Sequence, residues 1–186
     1  MVRSLARIAW LLALVRLRAA AEPQQPPTNP YLTENDPALI YTDPEHGGRF
    51  MIGDKAHGQQ FAGAVVDLTG EQGLEELRHM KWDKLRYPLK KFETHIDTTI
   101  EFIDKKIQKG ESVLINCFKG CKGAGSVAMA YLIKKHGYEF LRAFDKVRSV
   151  RPCVTEIFNP ANDWIPKALK DIDKKRIKSG KPFSEL

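Results

Sequence analysis

The apolar core of residues 112–116 (SVLIN) runs directly into residues 117–125 (CFKGCKGAG), which hold two cysteines and three glycines, and then into a second apolar run. A short segment of β-branched and leucine residues, a glycine-bearing turn and a small-residue helix start together predict a central parallel strand feeding a helix. Backbone N–H groups in such a turn point inward and the helix macrodipole adds positive potential, so the arrangement is a generic anion cradle. Cys117 stands at its mouth, where a thiolate is stabilised and can serve as a nucleophile. Many cysteines end central strands simply as small apolar residues, and the loop alone leaves both readings open.

The flanking sequence extends this unit. Residues 49–52 and 63–68 (GAVVDL) read as strands, and residues 82–87 alternate toward Pro88 as a third. Leu74, Leu77 and Met80 space a short helix over residues 73–80. Phe92, Ile96, Ile100, Ile103 and Ile107 recur at helical spacing until Gly110. Further helices are predicted over residues 126–135, stopped by Gly137, over a segment marked by Phe140, Phe144 and Val147 and broken at Arg151-Pro152, and over residues 158–175. Strand–helix alternation of this kind predicts an α/β fold, a central, mainly parallel sheet flanked by helices on both faces.

The ends differ from the body. Residues 1–21 contain Arg3, Arg7, Arg16 and Arg18, no acid, an apolar run over residues 8–15 and small residues at 19–21. This composition fits a cleavable secretory signal or a mitochondrial or plastid transit peptide, with a retained basic extension as a third reading. Pro23, Pro26, Pro27, Pro30, Pro37 and Pro44 mark residues 22–46 as an extended linker. The folded domain is therefore expected over residues 47–175, with a basic tail at 176–186. The net charge of +7 lies mostly in residues 1–21 and in residues 167–181, which hold seven basic residues against Asp171 and Asp173, and the stretch between them is close to neutral. That balance favours acidic or phosphorylated partners without being a nucleic-acid signature, and no apolar run is long enough for a membrane span. The three cysteines include no CxxC pair, so neither a disulfide scaffold nor a structural metal site is expected, and no cofactor is called for. Cys117 and Cys121, four apart, are candidates for a redox pair or, with less support, metal ligation, whereas Cys153 reads as a packing cysteine. His57, His79, His95 and His136 are scattered, none of them placed like a catalytic partner.

The segment VLINCFKGCKGAGSVAMAYLIKKHGYEFLRAFDKVRSVRPCV resembles the signature region of dual-specificity protein phosphatases, which carry VLVHC-x-x-G-x-S-R-S, a helix ending AYLM, and a helix closing on an arginine-proline loop. RFMIGDKAHG, GAVVDLTGE and TIEFIDKKIQKGESVLINC are similar to that family's opening strand and turn, next strand, and helix and strand leading to its nucleophile. The resemblance covers roughly residues 47–172. It implies that Cys117 occupies the nucleophile position and that Phe118, Lys119, Gly120, Cys121, Lys122 and Gly123 form the phosphate-binding loop.

The same resemblance exposes departures. The family's phosphate-gripping arginine falls at Gly123, its histidine before the cysteine at Asn116, and its hydroxyl after the arginine at Ala124. The loop that carries the family's general acid is short here: residues 89–92 lead directly into the helix. Glu93 and Asp97 are the nearest acids and belong to that helix, while Asp83 precedes the loop. The expectation is a degenerate member, a pseudophosphatase that binds a phosphorylated protein or another protein. The alternative is an active or residual phosphatase in which Lys119 or Lys122 replaces the arginine. Oligomeric state is not read from the sequence.

Overall fold

The computed structural model describes residues 36–70, 84–86 and 88–180. All of these belong to one compact unit. The expected leader, most of the proline-rich segment, the helix at residues 73–80 and the end of the basic tail lie outside the described residues.

Among the described residues, five strands form one sheet in the order β1-β2-β5-β3-β4. They are β1 (Ala38–Thr42), β2 (Arg49–Gly53), β3 (Ala64–Asp67), β4 (Lys84–Arg86) and β5 (Ser112–Asn116). Only β1 is antiparallel to its neighbour; β2, β3 and β4 join β5 and one another in parallel. The pleat sends Phe50, Ile52, Ala64, Val66, Val113 and Ile115 into the main core. Val65 and Leu114, equally buried, belong to the opposite face. Burial on both faces is what the unalternating SVLIN pattern requires.

Helices cover both sides. On the face of the main core lie α2 (Phe92–Ile107), α3 (Lys122–His136), α4 (Phe140–Val150) and α5 (Trp164–Lys178). Phe92, Ile96, Ile100, Ile103 and Ile107 form the buried stripe of α2, as their spacing predicts. Every residue of α3 from Gly123 to Ile133 is buried, which explains why its apolar residues show no single stripe. The opposite face carries the short α1 (Lys55–Gln60), capped by Asp54, whose side chain accepts from the His57 N–H at 3.0 Å. Gly110 and Gly137 do adopt left-handed conformations just past α2 and α3, with φ of 76° and 69°.

Four expectations need correction. The domain begins before residue 47: β1 lies inside the segment read as linker, with Ala38 and Ile40 in the core. Pro37 precedes that strand and Pro44 sits in the turn after it, positions where an edge strand needs no donor. Second, α3 starts at Lys122 rather than residue 126, so Gly123 and Gly125 are helical and only Gly120 lies in the connecting loop. Their small size serves close packing, since a Cβ on Gly125 would come within 2.3 Å of Val154 Cγ2. Third, the segment after Arg151 forms 3-10 turns over Pro152–Phe158 and Pro160–Asn162 before α5 begins at Trp164. Finally, the expected tail boundary at 176 falls within α5: Arg176 is buried, and its guanidinium grips Asp173 at 3.0 and 2.9 Å.

Candidate functional site

The parallel register places Gly53, Asn116, Asp67 and Arg86 in one row at the carboxyl ends of β2, β5, β3 and β4. That is the end of a parallel sheet where open α/β folds bind ligands. From this row β5 delivers Cys117, a buried free thiol whose N–H donates to the Gly53 carbonyl at 3.3 Å. Residues 118–121 then cross to the start of α3. Among the described residues, no acceptor pairs with any backbone N–H of residues 118–124. A run of unpaired donors leading into a helix N-terminus suits an anion.

The predicted loop residues divide by role. Phe118 is exposed, with the Lys55 ammonium 6.0 Å from its ring centroid. Gly120, at φ 69°, presses against neighbouring backbone; a Cβ there would stand 2.6 Å from the Gly53 carbonyl carbon. Lys119 reaches Glu156 at 3.8 Å in an exposed pair, and the Lys122 ammonium donates to Asn162 Oδ1 at 2.9 Å. Each lysine thus has a partner outside the loop. Cys121 is disulfide-bonded to Cys153, with 5.3 Å between the Cα atoms. This corrects two expectations at once: Cys121 does not pair with Cys117, and Cys153 is more than a packing residue. The link spans 32 positions, a proximity that spacing along the chain does not reveal.

At Gly123 the surroundings are apolar. A Cβ there would meet Cys117 Cβ at 3.2 Å, Leu68 Cδ1 at 3.4 Å and Leu89 Cδ1 at 3.5 Å. Leu89 belongs to the 3-10 turn Leu89–Lys91 that leads into α2. Glu93 and Asp97 line a separate groove between α2 and α5 with Ile96, Lys134 and Asp171, and Asp97 is ion-paired with Lys134. Asp83 lies outside the described residues. His57 forms the capping box of α1 with Asp54, and His136 packs against Tyr41 with ring centroids 4.3 Å apart.

Sequence reasoning missed Asp67. Its Oδ1 accepts from the Thr69 N–H at 2.9 Å, the Thr69 hydroxyl at 2.6 Å and Asn116 Nδ2 at 3.1 Å. Its Oδ2 accepts from Arg86 Nε at 2.8 Å, with Arg86 Nη2 at 2.6 Å. Asn116 thus ties the residue before the thiol to a buried carboxylate. Asn116 fits because residue 58 has no side chain: a Cβ on Gly58 would lie 2.4 Å from its Cγ. An acid and an arginine at the ends of neighbouring strands, VVD and KLR, were the available signal.

Burial by itself pushes the Asp67 carboxyl up, but the Thr69 hydrogen bonds and the Arg86 guanidinium outweigh it and hold it below the ordinary carboxylate value. With the folded-state value depressed, the contribution to stability is complete above the unfolded value and is lost as pH falls through the folded one. Asp67→Asn should therefore be less stable than the parent at pH 7, and the gap should narrow in acid. Urea unfolding of both proteins at pH 7 and pH 3 measures this; a gap that stays constant would refute it.

A mainly parallel sheet whose central strand hands a cysteine to a donor-rich loop at a helix N-terminus defines the class of cysteine-dependent phosphatase folds. Residues 62–165, more than half of the chain, match the family described as dual specificity phosphatase, catalytic domain, and the chain belongs to that family. It is 35% identical over 92 residues to Dual specificity protein phosphatase 1 of Arabidopsis thaliana, covering 50% of this chain and 44% of that protein. To Dual specificity phosphatase 28 of Mus musculus it is 32% identical over 80 residues, covering 43% and 47%. The chain thus spans less than half the length of these curated relatives. A leucine rich repeat and phosphatase domain containing protein from Entamoeba histolytica matches with a TM-score of 0.59 at 22% identity, covering 80% of this chain and 98% of that one. Human DUSP28 matches at 0.54 and 18%, covering 75% and 95%. These likenesses show a shared fold, the α/β architecture expected from the sequence. Among the described residues no helix is long and apolar enough to cross a membrane.

Proposed function

We propose that this domain is a catalytically impaired protein phosphatase, one that holds a phosphorylated protein through residues 117–123 and turns it over at or near the background rate. The observation that carries this reading is Gly123. Where the family's arginine would grip two phosphate oxygens, the chain has no side chain, and Cys117, Leu68 and Leu89 surround the position. Loss of one preorganised transition-state donor costs about 10²–10³ in rate, and a bidentate guanidinium supplies more than one. Loss of a positioned general acid costs about 10²–10⁴ more, though such losses do not simply multiply. The N–H groups of residues 118–124, seven in all and without an acceptor among the described residues, support retention of anion binding. An active enzyme using Lys119 or Lys122 as its cation has less support, because both ammonium groups are directed to partners outside the loop and neither offers a planar two-oxygen fork.

Hydrolysis of a small aryl phosphate tests the reading, since its good leaving group needs little help from an acid. The expected result is a rate indistinguishable between the parent and Cys117→Ser, together with binding of a phosphopeptide that Lys119→Glu weakens. Turnover abolished by Cys117→Ser would overturn the proposal. Gly120 is unsuited to a loop variant, because a side chain there would strike the backbone of Gly53 and Asp54.

Of the routes that the leader permits, the secretory one is favoured by the Cys121–Cys153 disulfide, since such bonds persist in oxidising compartments. Recovery of the mature chain, cleaved near residue 21, from the secretory pathway is the expected outcome of expressing the full sequence. Import into a mitochondrion or plastid would reverse it.

A further inference from the structure

We infer that the Cys121–Cys153 disulfide is a redox-controlled clasp on the anion loop: oxidised, it holds residues 117–123 in their binding form, and reduced, it releases them. This rests on the proposed anion-binding role of the same loop.

The argument begins with what fixes the loop. Because the N–H groups of residues 118–124 have no acceptors among the described residues, no internal ladder sets their direction. Their orientation depends on ties to other parts of the fold. At the start, the Cys117 N–H is anchored to the Gly53 carbonyl at 3.3 Å. In the middle, Arg151 Nη2 donates to the Lys119 carbonyl at 3.2 Å. At the end, Cys121 is covalently bound to Cys153, one residue before the helical N–H groups begin. Val154 then packs on Gly125 in the first turn of α3. Residues 151–154 therefore seat both the loop and the helix start, and the disulfide is the covalent member of the set. Without it, the loop is tied only by non-covalent contacts, among them the Arg151 hydrogen bond, the exposed Lys119–Glu156 pair, the Lys122 contact to Asn162, the Gly125 N–H to the Cys121 carbonyl and van der Waals packing.

The bond is open to attack from one side. Cys121 is 4% exposed, whereas Cys153 is only partly buried and follows the exposed Pro152. A thiolate of the glutathione or dithiol class would attack the Cys153 sulfur, breaking the S–S bond and releasing Cys121 as thiolate, which takes up a proton. A second thiolate from the reductant resolves the mixed disulfide and frees Cys153. Two electrons pass to the protein cysteines, and the reductant leaves as its own disulfide. Cys117, buried and free, takes no part in the exchange.

The test uses the full chain in its oxidised form and after treatment with a dithiol, titrated with tungstate by calorimetry, with amide exchange followed at Gly125, whose N–H donates to the Cys121 carbonyl at 2.8 Å. Reduction should weaken tungstate binding at least tenfold and speed exchange at Gly125 by a similar factor, and reoxidation should restore both. Cys153→Ala should bind weakly whatever the redox state. Equal affinity in both states would overturn the clasp and leave the anion-binding reading intact. Absence of tungstate binding in either state would overturn the anion-binding reading and the clasp's control of it together. Exchange at Gly125 that ignores reduction would overturn the clasp by itself.

Discussion

Gly123→Arg combined with Ala124→Ser should raise the affinity of the loop for tungstate or vanadate by about ten- to a hundredfold. A hydrogen bond to a charged group contributes about 1.5–3 kcal/mol, and each 1.4 kcal/mol is tenfold in affinity. The guanidinium would add two such bonds in a fixed fork, while bending its stem into place offsets part of the gain. Space permits the change at modest cost. The new Cβ would stand 3.2 Å from Cys117 Cβ, so a shift of a few tenths of an ångström is needed, and the Leu68 and Leu89 methyls at 3.4 and 3.5 Å are in ordinary contact. Those two leucines then flank the apolar stem of the arginine. Ala124 is fully buried beside it, and a serine there supplies the hydroxyl that the family places next to its arginine. Calorimetric titration of the parent and the double variant gives the comparison. No gain in affinity would mean that residues 117–124 do not superpose on the family's phosphate loop as the motif spacing implies.

Removing the disulfide should have the largest effect on stability. Closing a loop across 32 positions restricts the unfolded chain, and the chain-entropy relation gives roughly 3–4 kcal/mol for a loop of this size. In a domain of this length, that corresponds to a fall in unfolding midpoint of roughly 10 °C. Cys121→Ala with Cys153→Ala should show this loss in scanning calorimetry under non-reducing conditions. Addition of a dithiol should lower the midpoint of the parent by a similar amount and leave the double variant unmoved. A parent protein whose midpoint ignores the reductant would show that the cross-link contributes nothing to the fold. Alanine is the appropriate replacement, because Cys121 is buried and a serine hydroxyl there would need a partner.

These expectations draw on different levels of structure. The identity of residue 123 is read within a recognisable pattern, so Gly123 stands out before any coordinates are known. The strand of residues 112–116, the stripe of α2 and the stops at Gly110 and Gly137 were equally legible, and the structure reproduces them. Each depends on neighbours within one or two turns of chain. The start of α3 was misplaced because glycines weigh against helix in an isolated segment, and packing on Val154 and Cys117 overrides that preference. The strand β1 was hidden by prolines at its two ends. Its ladder to β2, from Ala38 opposite Ile52 to Thr42 opposite Arg49, is what makes a short, proline-bracketed segment a strand.

By itself, then, the sequence determined the parallel strands that carry the site, the buried stripe of α2, the position of Cys117 and the glycine at position 123, because local periodicity and residue identity carry that information. The tertiary structure decided that Cys121 meets Cys153, that Asp67 joins Asn116 to Arg86, and that β1 closes the edge of the sheet. Those features arise from contacts between segments that no repeat or spacing relates, brought together only when the sheet register and the packing of α3 on residues 151–154 are set.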